Sequence, residues 1–154
     1  MCRDDGSATA WELMTAARRF SHRLEVLMDQ RLEHFGISFA QYRALETVAA
    51  YPDIHTSELA RALRISRQGA GKTIEKLGGG ALIDEVREAG RVYVTTSELG
   101  RKRLDQCRRT TLDMTRPLEE ALTEGERHRV VALLERAGRA LRPPSTRREW
   151  WLEP

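Results

Sequence analysis

Residues 66–73, with the sequence SRQGAGKT, contain the residue types of two different functional sites. The Gly-Lys-Thr ending is typical of phosphate-binding loops, in which backbone amides and a lysine hold the phosphates of a nucleotide. The same residues could instead form the start of a helix whose polar side chains contact the edges of DNA bases. The elements around the segment decide between these two chemistries.

A phosphate-binding loop has a glycine five positions before the glycine of its Gly-Lys pair, and here that position is Ser66. The preceding residues, SELARALRI, have the apolar spacing of a helix and not of the strand that such a loop follows. No alternation of strands and helices predicts a parallel sheet. We therefore expect no nucleotide site in this segment.

Two short helices are predicted over residues 56–63 and 67–77, with Thr56 and Ser66 as their N-caps. A turn of about three residues between them is typical of a helix-turn-helix, whose second helix lies in the major groove of DNA. The apolar residues of this second helix share one face: Ala70, Ile74 and Leu77. The opposite face is polar, so the pattern favours DNA binding.

Two predicted strands, 82–87 and 91–96, follow the second helix and are joined by a three-residue loop, 88–90. A helix-turn-helix followed by such a hairpin is a winged helix. Further helices are predicted at four places: 11–35, 38–49, 97–116 and 123–141. Residues 51–55 are predicted to be a connector, and Pro117 to interrupt or bend the end of the 97–116 helix.

The candidate DNA contacts lie on the second helix and in the wing: Ser66, Arg67, Gln68, Gly69, Lys72, Thr73, Lys76, Arg87 and Arg91. Gln68 can bond adenine with two hydrogen bonds, and Arg67 suits guanine or phosphate. Lys72 suits either a base or a phosphate, while Ser66 and Thr73 can donate to phosphate oxygens. A merely solvated polar face is the alternative interpretation of these residues.

Two glycines inside the second helix, Gly69 and Gly71, each cost about 1 kcal/mol of helix stability. Close approach of the backbone to DNA, or to the preceding helix, would offset this cost. The alternative is that the helix simply tolerates both glycines.

The composition is that of an ordered protein with a basic middle third. The net charge is +3, yet ten basic and six acidic side chains between residues 54 and 103 give this segment alone a basic excess of four. No apolar run reaches the about 20 residues needed to cross a bilayer, and the N-terminal residues lack the features of a signal peptide, so a cytoplasmic protein is expected. No catalytic set of side chains can be placed on one surface, so we expect no enzyme.

The two cysteines, Cys2 and Cys107, and the four histidines lack the spacing of metal ligands, so neither a metal nor a cofactor is expected. Cys107 lies in an apolar repeat, which favours a buried core residue over the alternative of a redox sensor.

The order of these elements resembles the multiple antibiotic resistance regulator (MarR) family of winged helix-turn-helix transcription factors. Two segments carry the resemblance: SELARALRISRQGAGKTIEKLGGGALI, and the SELGRKRL that opens the helix after the wing. The resemblance covers nearly the whole chain. It implies a mainly α-helical fold with a small β-hairpin wing, flanked by N- and C-terminal dimerisation helices. The expected division is one MarR-like domain over 1–154, with a DNA-binding part, 37–103, and a helical dimerisation part, 8–35 and 104–154.

The resemblance also implies a homodimer and a small, often phenolic, effector that releases double-stranded DNA. A pocket for such a molecule would lie near four residues: His34, Phe39, Tyr42 and Arg43. Each of the four could equally be a core or surface residue. The adjacent Trp150 and Trp151 suggest that the C-terminal tail packs on the dimer.

The wing departs from the family pattern. Members usually carry an Asp-x-Arg motif at the wing tip, whereas this chain has EAGR at the corresponding place. Either Arg91 or Arg87 could supply the arginine that enters the minor groove, and either could be simply solvated.

The expected function is therefore a dimeric, sequence-specific transcriptional regulator, a ligand-responsive repressor that binds an inverted-repeat operator. The alternative is a winged-helix module that binds another protein and has no sequence-specific affinity for DNA.

Overall fold

The computed structural model describes residues 8–141, and the chain forms two compact units that divide after Thr110. The helices are α1 (Ala10–Leu32), α2 (Phe39–Ala50), α3 (Thr56–Leu63), α4 (Arg67–Gly79), α5 (Glu98–Asp113), α6 (Arg116–Ala121) and α7 (Glu124–Ala140). The strands are β1 (Ile54–His55), β2 (Ile83–Glu88) and β3 (Arg91–Thr96). The predicted fold class, mainly α-helical with a β-hairpin wing, is confirmed.

The strands form an antiparallel sheet in the order β1-β3-β2. Strand β1 lies within residues 51–55, so the prediction that this segment is only a connector was wrong. Two residues are too short for a detectable alternation, and pairing with β3 creates the strand. The predicted three-residue loop was also wrong: Glu88 pairs with Arg91, which leaves Ala89 (φ 48°) and Gly90 (φ 74°) as the turn. Two successive positive φ angles are typical of a type I′ hairpin.

The core of the first unit is formed where α2, α3 and α4 pack together and against the sheet. Its fully buried large side chains include Leu45 and Val48 of α2, Leu59 of α3, Leu77 of α4 and Val94 of β3. The predicted inward face of α4 is confirmed, because Ala70, Ile74 and Leu77 are all buried. The core therefore holds α4 by one face and leaves the other to solvent.

Several predicted helix ends are confirmed by capping contacts. The hydroxyl of Ser38 accepts from the N–H of Gln41, whose side chain accepts in return from the N–H of Ser38. Thr123 and Glu126 form the same reciprocal pair at the start of α7. The hydroxyl and the backbone N–H of Thr123 both donate to the Glu126 carboxylate, and they hold the pKa of Glu126 below its usual range because they stabilise the charged form.

Three helix boundaries differ from the predictions. Thr56 is not the N-cap of α3: His55 is, and its Nδ1 accepts from the N–H of Ser57 at 3.2 Å. Helix α1 ends at Leu32, before a short 3-10 turn that Gly36 closes in the left-handed region at φ 65°. Pro117 is the second residue of α6 and does not interrupt α5, which ends at Asp113. Its missing N–H removes no bond in the first turn of a helix.

The start of α5 is bound tightly to the start of the wing. The hydroxyl of Ser97 donates to the carbonyl of Ala81 at 2.7 Å and accepts from the N–H of Gly100 at 2.9 Å. A Cβ atom at Gly100 would lie 1.9 Å from the carbonyl oxygen of Leu82, closer than any real contact. Only glycine fits here, which explains the SELG sequence that opens this helix.

Cys107 is completely buried, as predicted for a core residue. Burial raises the pKa of its thiol, and the nearby Arg103 opposes this shift only in part. A buried neutral thiol reacts poorly, so the geometry does not favour a redox sensor. The predicted packing of Trp150 and Trp151 lies outside the described residues.

Replacing Gly100 tests the contact between α5 and the wing. We expect Gly100→Ala to destabilise the protein by about 3 kcal/mol, because the new methyl group overlaps backbone that cannot move independently. Gly71→Ala is the matched control: Gly71 is also helical, a new Cβ there meets no atom within 4 Å, and the variant should gain about 1 kcal/mol. Unfolding in urea measures both changes, and equal stabilities would refute the tight contact.

Candidate nucleic-acid interface

The N-terminal half of α4 presents an exposed polar surface. Ser66 caps the helix by accepting from the N–H of Gly69 at 3.0 Å, which leaves its own hydroxyl proton available. Arg67, Gln68 and Lys72 are all exposed. Between residues 8 and 141, no carboxylate forms a salt bridge with Arg67 or Lys72. This end of the helix therefore offers donors and positive charge that the protein does not itself neutralise.

Two other candidates on α4 are placed less favourably for base contacts. Thr73 is half-buried, and its hydroxyl donates to the carbonyl of Gly69 at 3.0 Å, so this rotamer has no proton for a phosphate. Lys76 is exposed, but nine residues beyond Arg67 it lies about 13 Å further along the helix axis. That distance suits a backbone phosphate better than a base of the same site.

The two glycines of α4 have different surroundings. A Cβ at Gly69 would lie 3.2 Å from the Ser66 hydroxyl and 3.7 Å from Ile65, so the cap itself limits the space. A Cβ at Gly71 would have nothing within 4 Å. Packing on the preceding helix therefore does not require Gly71. Of the two partners predicted to approach the backbone closely, the preceding helix and DNA, only DNA is left for this residue.

The two wing arginines lie on opposite faces of the hairpin. Arg87 pairs with Val92, on the same face as the Glu85–Val94 pair, while Arg91 lies on the face of Tyr93. Arg87 is 78% exposed and lies 3.7 Å from the carboxylate of Glu85, which gives the chain an acid-x-Arg pair within strand β2. One hairpin face cannot present both arginines to the same groove.

Arg91 lines a groove that the sequence did not reveal. The groove lies between the start of α3 and the wing, has a volume of about 330 Å³, and is lined by His55, Ser57, Glu58, Arg61, Arg91 and Tyr93. It depends on β1, because the pairing of His55 with Tyr93 brings α3 beside the wing. Without that two-residue strand, no sequence signal joins the two segments.

Three of the four residues proposed to line an effector pocket lie together on α2. The rings of Phe39 and Tyr42 stack with centroids 6.4 Å apart, and the guanidinium of Arg43 lies 6.0 Å from the Phe39 centroid. His34 is exposed in the 3-10 turn. A cavity of about 450 Å³ near the start of α2 is lined by other residues: Asp29, Gln30, Glu33, Gly36, Ile37 and Ser38. The effector pocket stays a prediction.

No candidate for a metal site or for a membrane-spanning helix lies within residues 8–141. This part of the chain contains no group of three or more His, Cys, Asp or Glu side chains placed to hold a metal ion. No described helix is both long and apolar enough to cross a membrane.

The architecture defines a winged helix-turn-helix protein, and one segment of the chain matches the model of a known family. Residues 35–91 match the model of the MarR family, so this segment belongs to the MarR family of winged helix-turn-helix proteins, as the resemblance implied. The segment includes all nine candidate DNA contacts. No curated protein sequence matches the chain.

Solved structures share the fold over most of the chain. A MarR family transcriptional regulator of Streptomyces coelicolor, Sco5413, has a TM-score of 0.76 at 19% identity, covering 87% of this chain and 96% of its own. The Staphylococcus aureus MepR–DNA complex has a TM-score of 0.71 at 23% identity, covering 87% of this chain and 97% of its own. The Mycobacterium tuberculosis MarR family protein Rv2887, in complex with p-aminosalicylic acid, has a TM-score of 0.68 at 18% identity, covering 85% of this chain and 99% of its own.

Replacing Gly71 should change the stability of the fold and the affinity for DNA in opposite directions. We expect Gly71→Ala to stabilise the fold by about 1 kcal/mol, because alanine favours a helix and meets no atom of the chain. The same variant should bind DNA more weakly if the backbone approaches the duplex at this residue. Urea unfolding and DNA titration measure the two effects, and unchanged DNA affinity would refute the close approach.

Proposed function

We propose that the protein is a transcriptional regulator that binds specific double-stranded DNA sequences in the cytoplasm, as a homodimer on an inverted-repeat operator. The observation that carries the proposal is the surface of α4, where Arg67, Gln68 and Lys72 are exposed at the end of the helix that a helix-turn-helix inserts into the major groove. Within the described chain, nothing neutralises Arg67 or Lys72. A polyanion such as DNA supplies the negative charge that would neutralise this surface.

Structural relatives support the same function. The S. aureus MepR structure is a complex with DNA, and its fold covers 87% of this chain. The Rv2887 structure is a complex with p-aminosalicylic acid, so a small aromatic effector that regulates DNA binding is part of the proposal.

Exposed apolar residues on the terminal helices support the homodimer. Helix α1 exposes seven large ones: Trp11, Leu13, Met14, Phe20, Leu24, Val26 and Leu27. Helix α7 exposes a second set: Val130, Val131, Leu133 and Leu134. Apolar surface of this extent favours association, and a two-fold axis would bury the same faces of both copies.

Gln68 is the residue proposed to recognise a base. We expect Gln68→Ala to cost about 1–3 kcal/mol on a selected site and to relax the base preference there, because a bidentate contact with adenine is lost. Titration against the selected and a scrambled DNA measures both effects. A variant that discriminates between the two DNAs as well as the wild type does would refute the role of Gln68.

The same titration distinguishes a DNA-binding regulator from a protein-interaction module. A DNA-binding regulator should lose affinity steeply as salt rises, because bound lysines and arginines release counterions from the duplex. If the wild-type protein binds the selected and the scrambled DNA equally weakly, the proposed function fails and the module becomes the better explanation.

The homodimer has its own measurement. We expect the full chain to sediment as a dimer at micromolar concentration, since burying the apolar residues of α1 and α7 favours association. Leu134→Glu should shift the equilibrium toward the monomer, whereas Arg129→Glu, a charge change at another exposed residue of α7, is the control for added negative charge. A wild-type protein that sediments as a folded monomer would refute the dimer.

A further inference from the structure

The groove between α3 and the wing collects positive charge from two elements. Arg61 projects from α3 and Arg91 from β3, and both line the same space of about 330 Å³. Both are exposed, and among residues 8–141 neither forms a salt bridge. Two guanidinium groups that share one groove repel each other, and the single carboxylate that lines the same space, Glu58, offsets only one of the two charges.

The other polar groups of the groove are arranged by the cap of α3. Nδ1 of His55 accepts from the backbone N–H of Ser57 at 3.2 Å and lies 2.6 Å from its hydroxyl. Because a backbone N–H can only donate, Nδ1 carries no proton and the ring proton is on Nε2. His55 therefore offers an N–H donor in addition to the two arginines.

Glu58 is the acidic residue that lines the groove, and its carboxylate is already engaged. It accepts from the backbone N–H of His55 at 3.2 Å, as the second half of the cap. Helix α3 also begins here, and the N–H groups of a first helical turn favour a nearby negative charge. Two arginines against one carboxylate leave the groove with a net positive charge, and the helix direction also suits an anion.

We propose that this groove binds one phosphate of the DNA backbone, which Arg61 and Arg91 contact together. The proposal rests on the proposed function, since the ligand is the same DNA that α4 recognises. DNA is favoured over a free anion because the first helix of a helix-turn-helix crosses the sugar-phosphate backbone, and Arg61 lies on that helix. One phosphate would then join α3 to the wing.

This assignment gives the two wing arginines separate roles. Arg91 contacts a phosphate and adds affinity for any sequence, so it carries no base preference. Arg87, on the opposite face of the hairpin, is left as the arginine that can enter a minor groove.

The test compares Arg61→Gln, Arg91→Gln and the double variant of the full chain, titrated with a selected and a scrambled DNA at several salt concentrations. Each single variant should weaken binding to both DNAs by the same factor and lower the salt slope by about one unit. The double variant should lower the slope by clearly less than the sum of the singles, because both arginines act on one phosphate. Arg61→Lys should restore most of the slope, since it keeps the charge.

The control is Arg116→Gln, which removes one exposed positive charge from α6, outside the winged helix. It should leave the salt slope unchanged. An unchanged slope in Arg61→Gln, or additive losses in the double variant, would overturn the shared phosphate while leaving the regulator intact. Failure of the wild-type protein to bind any DNA would instead overturn the proposed function, and the groove with it. Competition by inorganic phosphate that spares Arg61→Gln would assign the groove to free anions instead.

Discussion

The backbone contact between Gly100 and the carbonyl of Leu82 is the constraint on which the position of the wing depends. Leu82 also donates its N–H to Leu77 at the end of α4, at 2.9 Å, and its carbonyl accepts from the N–H of Ser97 at 3.2 Å. One residue thus joins α4, the proposed recognition helix, to the first wing strand and α5 through backbone atoms. Because these bonds involve no rotatable side chain, the wing is held at a defined place relative to α4.

A second junction lies at the other end of the wing strand β3, at His55. This residue pairs with Tyr93 in the sheet and caps α3 with its ring. The two rings also meet edge to face, with centroids 5.5 Å apart, and Thr56 donates to the carbonyl of Val92 at 3.0 Å. The helix-turn-helix and the wing are therefore fastened on both sides of the sheet, and the groove between them follows from this geometry.

The exposed surface of α4, unlike these two junctions, makes few contacts with the rest of the described chain. Its buried face holds the helix in the core, whereas its exposed face carries Arg67 and Lys72 without partners and Gly71 without neighbours within the described chain. Neither feature stabilises the folded chain, and the glycine lowers helix stability. A protein that keeps such residues on a rigid helix is organised for an external partner, and the arrangement agrees with the MarR-family segment that contains it.

The sequence by itself determined the features that depend on local interactions. Capping residues such as Ser38, Ser66 and Thr123, and the apolar spacing of α4, predicted the helices, their inward faces and the polar surface of the recognition helix, because each signal lies within a few residues of its effect. The tertiary structure decided what depends on pairing between distant segments. Strand β1 exists only because β3 lies beside it, and the hairpin register alone places Arg87 and Arg91 on opposite faces, since a shift of one residue would place both on the same face.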